Sequence, residues 1–256
     1  PRRWAMTRDA THRQLRLPSG VVMTQSKIDD ALWHLVDEKT REVKGLVLVY
    51  VDDYGVIAPR ELRDEFATAI KAALARAGVE GRDVGDVTMG CVLQAGQGQA
   101  PARQAAIRAG LPTAVPCQTI NKVCGSGMKT TMLAHDQILA GSCDTAIAGG
   151  MENMTQSPYF IAKARGGLRL GHGEIKDHMF CDGLEDAYSG RLMGSFAQQT
   201  ADQFSISREQ MDNYAIGSLT RAQTAIAQGF FDAEIVPVTV KTRKGEITVS
   251  VAEQPS

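Results

Sequence analysis

From residue 59 onward, strand-like runs alternate with apolar-periodic helices, and glycines close most of the helices. That rhythm limits the fold more than any other feature of the chain. Pro59 suits a first helical turn, Leu62, Phe66, Ala69, Ile70 and Ala73 form an apolar stripe, and Gly78 supplies a left-handed stop. Residues 86–93 read as a strand, 101–109 as a short helix closed by Gly110, and 114–119 as a second strand. A longer helix follows to about residue 140, with Met128, Met132 and Leu139 expected to face inward and Gly141 as its stop. Residues 145–148 complete the series as a short buried strand before Gly149 and Gly150. Such alternation predicts an α/β layer with a largely parallel sheet, because parallel neighbours need a crossover that a helix supplies.

The flanks read differently. Residues 157–200 lose the rhythm: Gly166, Gly167, Gly171, Gly173, Gly183, Gly190 and Gly194 break short helical pieces, which predicts an inserted loop domain. Ser207 and Gln210 form a capping box that opens a helix with Met211, Ala215, Leu219, Ala222 and Ile226 on one face and Gly229 as its stop. Residues 234–240 and 246–251 flank Arg243-Lys244-Gly245, a hairpin signal. In residues 1–58, Arg2, Arg3, Arg8, Arg13 and Arg16 crowd the beginning. Strand-like runs at 31–36 and 45–50, joined by the polar stretch 37–44, predict a hairpin with a long loop.

Composition excludes some classes of function. With 256 residues and 43% hydrophobic content the chain can bury a real core, and a net charge of -1 gives no field that would steer it to nucleic acid or a membrane surface. The longest apolar run, residues 46–51, is far too short to span a bilayer, and no signal or transit segment is evident. The 5 cysteines contain no C-x-x-C pair, and with the 5 histidines they give no zinc-ligand spacing, so no metal site is expected. Free thiols in a reducing compartment are the simplest reading, which places the chain in the cytoplasm and leaves an organelle open.

One cysteine stands apart. In Asn121-Lys122-Val123-Cys124-Gly125-Ser126-Gly127-Met128-Lys129, Cys124 sits where a strand gives way to a helix, and two nearby glycines leave room for another backbone or a ligand. A thiol at a helix N-terminus meets the positive end of the helix dipole and unpaired N–H groups, surroundings suited to a nucleophile. The alternative is a small buried hydrophobe in a tight turn.

This segment, with Gly149-Gly150-Met151-Glu152-Asn153-Met154 downstream, resembles thiolase, the acetyl-CoA C-acetyltransferase family. Three further stretches carry the resemblance in order: Met89-Gly90-Cys91-Val92-Leu93-Gln94-Ala95-Gly96-Gln97-Gly98-Gln99; Asp182-Gly183-Leu184-Glu185-Asp186-Ala187-Tyr188 with Leu192-Met193-Gly194; and Ile206-Ser207-Arg208-Glu209-Gln210 with Glu234-Ile235-Val236-Pro237-Val238. It implies a thiolase-like layered half-domain over residues 59–256, with a loop domain at about 157–235. It also implies that Cys124 attacks acetyl-CoA to form an acyl-thioester, whose oxygen is held by backbone N–H donors including that of Cys124. A second acetyl-CoA would then lose an α-proton to a base and condense with the acyl group; the reverse direction cleaves a 3-ketoacyl-CoA. Coenzyme A thioesters are thus the expected partners, without a further cofactor, in what is usually a homo-oligomer. Leu184 and Met193 would line the pantetheine channel, while Leu192 stands where some members have histidine. Arg243 and Lys244 could meet phosphates or form a solvated hairpin tip. His135, His172 and His178 match no family catalytic motif and are expected to be structural or solvated.

The sequence also departs from the family. After Asn153 there is no Gly-His-Pro histidine and no Cys-x-Gly-Gly cysteine, the residues that would activate the nucleophile and serve as base. The expectation is an acylation half-site with impaired turnover and a large exposed apolar face. The alternative is a non-catalytic chain that associates with intact thiolase subunits. In residues 1–58, Gly45-Leu46-Val47-Leu48-Val49-Tyr50-Val51-Asp52-Asp53 resembles the palm motif of copia-type retrotransposon reverse transcriptases, whose paired aspartates hold Mg²⁺. Asp52 and Asp53 would then mark an RNA-directed DNA polymerase remnant fused to the thiolase-like part; the other reading is an acidic hairpin turn.

Overall fold

Four short strands come first in the computed structural model, which describes residues 14–16, 21–25, 33–37, 43–46, 62–242 and 245–251. Strands β1 (Gln14–Arg16), β2 (Val21–Gln25), β3 (Trp33–Asp37) and β4 (Val43–Leu46) pair antiparallel in chain order, with a bulge at Leu35/Val36. The expected hairpin is the β3–β4 pair, with its second strand beginning at Val43 rather than Gly45. Asp52 and Asp53 lie outside the described residues, as do Arg243 and Lys244.

The α/β layer follows the predicted rhythm. Helix α1 (Leu62–Ala77) stops at Gly78, whose φ of +64° lies in the left-handed region that a Cβ disfavours. Then come β5 (Asp86–Gly90), α2 (Pro101–Arg108), β6 (Cys117–Ile120), α3 (Ser126–Leu139) and β7 (Ala146–Gly150). The three strands form one parallel sheet in the order β6-β5-β7, with Val87 opposite both Cys117 and Ile147.

Strand alternation sorts large and small side chains onto opposite faces of this sheet. Val87, Met89 and Ile147 join Ala67 and Ile70 of α1 and the alanines of α2 in the larger core. Ala146 and Ala148 pack with Ala134 of α3 on the other side, where Gly90 also meets the start of α3. Polar groups in the buried central strand satisfy one another: the Thr88 hydroxyl donates to Asp86 Oδ2 at 2.7 Å and accepts from Gln118 Nε2 at 2.8 Å.

The structure corrects one expectation here. The buried residues of α3 are Ser126, Thr130 and Ala134, whereas Met128 and Met132 are 68% and 49% exposed and Leu139 is exposed too. The helix lies against a surface of glycine and alanine, so only its own small residues fit there. Periodicity alone assigns the large apolar residues inward.

Beyond β7 come the antiparallel pair β8 (Tyr159–Ile161) and β9 (Ile175–Asp177), a π-helical turn at Phe180–Leu184, α4 (Met193–Gln203) and α5 (Arg208–Ala227). The predicted capping box is present: Gln210 N–H donates to Ser207 Oγ at 3.2 Å, and Ser207 N–H to Gln210 Oε1 at 2.8 Å. No residue of α5 is buried, so its predicted face from Met211 to Ile226 lacks deep cover. Strands β10 (Val238–Thr242) and β11 (Gly245–Val249) form the predicted hairpin. Arg76 of α1 ties this region to the layer, its guanidinium donating to the carbonyls of Glu234 at 2.8 Å and Ile235 at 3.3 Å. Among the described residues, no helix is long and apolar enough to cross a membrane.

Candidate active site

The C-terminal ends of the three parallel strands converge, the place where open α/β sheets bind ligands. Met151 N–H donates to the Gly90 carbonyl at 2.8 Å, and Cys91 N–H to the Ile120 carbonyl at 2.9 Å. Gly90 lets α3 come this close: a Cβ there would lie 2.5 Å from the Ser126 carbonyl carbon and 2.7 Å from Gly127 N. Across the same seam, a Cβ on Gly127 would sit 3.6 Å from Gly150 Cα.

Cys124 sits on the turn between β6 and α3, two residues before the helix begins. Val123 just before it has φ +48°. A β-branched residue in that region is an outlier, at a cost on the order of 1–3 kcal/mol that neighbouring contacts must offset. Several do. Val123 N–H donates to Asn121 Oδ1 at 2.8 Å. The buried Ser126 hydroxyl accepts from Lys122 N–H at 2.8 Å and donates to the Val123 carbonyl at 2.6 Å. Gly125 N–H and Ser126 N–H donate back to the Lys122 and Val123 carbonyls. The result is a sharp strand-to-helix turn that presents one thiol to solvent.

The cysteines divide accordingly. Among the described residues Cys124 alone of the five is exposed. Cys91 is buried, and its thiol is pushed up to about 12 by burial first and then by the Glu152 carboxylate. Burial also pushes the Cys117 and Cys143 thiols up. These three are held as thiols, unsuited to nucleophilic attack near neutral pH.

Leu184 and Met193 flank a turn that brings the ends of two elements together. Leu184 ends the π-helical turn half-buried, Met193 opens α4 exposed, and between them Glu185 and Leu192 form an antiparallel bridge. Asp186 N–H donates to the Arg191 carbonyl at 2.9 Å inside this turn. The Asp186 carboxyl is held below the usual carboxylate range by the hydroxyl and N–H of Ser189. A Cβ on Gly183 would lie 3.4 Å from Leu93 Cδ2, so the turn rests on the segment leaving β5.

Sequence reasoning left two side chains near this segment unassigned to any detailed role. His178 is buried, with Nδ1 2.6 Å from Asp182 Oδ2, and its Nε2 accepts from Ala95 N–H at 3.4 Å. It pins the 178–182 turn to the loop after β5; its only sequence signal is the i,i+4 spacing of His178 and Asp182. Glu152 accepts from Val92 and Leu93 N–H, at 2.7 and 3.1 Å. The four residues 149–152 occur in the family-like motif, but nothing local indicates a contact some 60 residues back in the chain. Among the described residues no cluster of His, Cys, Asp and Glu is placed to hold a metal ion.

A thiol on a strained turn at the C-terminal edge of a parallel sheet defines an α/β protein with a cysteine elbow. The chain belongs to the thiolase family: the model "Thiolase, N-terminal domain" matches residues 52–256. An acetyl-CoA acetyltransferase of Cupriavidus necator is 51% identical over 180 residues, covering 70% of this chain and 46% of that protein. A protein described as "Probable acetyl-CoA acyltransferase" from Staphylococcus aureus is 45% identical over 188 residues, covering 73% of this chain and 48% of its own length. The crystal structure of the Bacillus anthracis acetyl-CoA acetyltransferase superposes with a TM-score of 0.74 at 37% identity, over 80% of this chain and 52% of that one. The chain therefore spans about half the length of the curated relatives it matches. The reverse-transcriptase resemblance of residues 1–58 is not borne out: the thiolase match opens at residue 52 and takes in Asp52 and Asp53.

Proposed function

We propose that this chain carries the acylation half of an acetyl-CoA C-acetyltransferase, with Cys124 as the acyl acceptor. The observation that carries the reading is the exposed Cys124 thiol on the turn braced around left-handed Val123. Its Sγ forms a bond to the acetyl carbonyl carbon as the Sγ–H proton is given up to solvent, the C–S bond to coenzyme A breaks, and the departing coenzyme A thiolate takes a proton back from solvent. A thiolate attacks and departs about equally well, so the acyl-enzyme is reachable from either side. Leu184 and Met193, held on either side of the Glu185–Leu192 bridge, would contact the pantetheine arm, and residues 157–235 would act as the loop domain that holds coenzyme A. Residues 59–256 would form this domain, with 1–58 as a separate segment. Condensation with a second acetyl-CoA, or cleavage of a 3-ketoacyl-CoA, needs a base and a histidine that the family pattern places in motifs not found after Asn153. The setting would be the cytoplasm, with acyl-CoA rather than nucleic acid or membrane as partner.

Intact-mass measurement after incubation with acetyl-CoA tests the reading. The wild-type chain should gain one acetyl group and Cys124→Ala none; no gain on the wild type would overturn it. The exposed face of α3, with Met128, Met132 and Leu139, favours a second reading in which the chain associates with another thiolase subunit, as in a homo-oligomer. Co-elution with a full-length thiolase on size exclusion would support that association.

A further inference from the structure

Glu152 follows the end of β7, and its carboxylate reaches the backbone that leaves β5. Oε2 accepts from Val92 N–H at 2.7 Å, Oε1 accepts from Leu93 N–H at 3.1 Å, and the Cys91 Sγ–H donates to Oε1 at 3.7 Å. The Val92 carbonyl, fixed by this grip, accepts from Asn121 Nδ2 at 3.3 Å. Asn121 Oδ1 then accepts from Val123 N–H at 2.8 Å. Only one orientation of the Asn121 amide serves both bonds, since its nitrogen must face a carbonyl and its oxygen an N–H. The path ends at left-handed Val123, immediately before Cys124.

We propose that Glu152 is a positioning residue for Cys124, acting through the 92–93 backbone and Asn121 to hold the strained turn at Val123. The proposal rests on Cys124 being the nucleophile. A left-handed valine persists only where surrounding bonds over-determine it, and the Asn121 side chain ties the Val123 amide to the neighbouring strand end. Replacing Glu152 by glutamine turns one acceptor into an N–H₂ group that confronts a backbone donor. The 92–93 segment then loses half its anchor, and Asn121 loses the carbonyl that orients it.

The test is the rate at which iodoacetamide alkylates Cys124 in the full chain, read by peptide mass with added N-acetylcysteine as the reference thiol. Glu152→Gln and Asn121→Ala should each slow Cys124 by about tenfold, and the double variant should be no slower than Asn121→Ala alone, because groups in one network do not add. A Glu152 that merely braces the fold would leave Cys124 unchanged or give multiplied effects in the double variant, and either result overturns the proposal. If Glu152→Gln does not fold, Glu152→Asp keeps both acceptors one methylene back. It should slow Cys124 by about threefold and again be masked by Asn121→Ala; an unchanged rate would overturn it. Alkylation uses no acyl-CoA. A wild-type chain that alkylates in this pattern yet takes no acetyl group would refute the acylation reading and leave the positioning role intact.

Discussion

The two faces of α3 carry different side chains for different reasons. Toward the sheet it presents Ser126, Gly127, Thr130 and Ala134, small enough for Gly127 to meet Gly150 and for Ser126 to meet Gly90 across backbone-to-backbone distances. Away from the sheet it presents Met128, Met132 and Leu139, which this chain leaves exposed. The small face positions the site: it brings the N-terminus of α3 to the strand ends, so the turn bearing Cys124 has one geometry. The large face adds nothing to that geometry and stays exposed. Apolar bulk and functional packing are separate properties of one helix.

The contrast can be broken in four ways. Gly90→Val should do the most damage, because its Cβ would press on backbone atoms of Ser126 and Gly127 that cannot step aside. A loss of about 3 kcal/mol in urea unfolding is expected, and a loss below about 1 kcal/mol would show that this close approach does not fix α3. Thr130→Val comes next. The buried Thr130 hydroxyl lies 2.6 Å from the Gly127 carbonyl and 3.0 Å from that of Gly149; removing it should cost about 1–2 kcal/mol at nearly constant volume.

A pH titration of stability probes the packed floor through Cys91. Folded, its thiol holds the proton up to about 12, whereas the ordinary value is 9.0. Between those values the unfolded chain binds fewer protons, so stability is full below the lower value and falls as pH rises, by at most about 1.4 kcal/mol per pH unit. Cys91→Ser, which keeps a donor for Glu152 but does not titrate, should flatten that slope in alkaline unfolding curves. The smallest effect belongs to the open face. Met128→Lys with Met132→Lys should change stability by no more than about 0.5 kcal/mol while reducing self-association in sedimentation. A cooperative loss of folding would instead mean that this face packs within the chain itself.

Local chemistry made much of the molecule legible. Gly78, Gly110, Gly141 and Gly229 each follow a helix with positive φ, as helix-stop glycines should. Ser207 and Gln210 cap α5 reciprocally, and Cys124 lies on a strand-to-helix turn. Each of these depends on a few consecutive residues, so the chain itself suffices. The strands of the parallel sheet were visible with shifted boundaries: β5 ends at Gly90 rather than at residue 93, while β6 and β7 start later than residues 114 and 145 and run on to Ile120 and Gly150. Gly90 is the last paired residue of the ladder, and the chain leaves it at Cys91 toward the site.

What the sequence alone determined, then, is the α/β rhythm, the helix ends, the thiolase family and the place of Cys124 on a strand-to-helix turn. Tertiary structure decided which face of α3 is buried, that Val123 is left-handed, and that Glu152 and Asn121 connect three strand ends to that turn. The physical reason is range. Propensity, capping and glycine stops act within a turn or two of the backbone, whereas hydrogen bonds such as Glu152 to Val92 and the glycine-on-glycine seam join segments whose proximity exists only after the sheet has assembled.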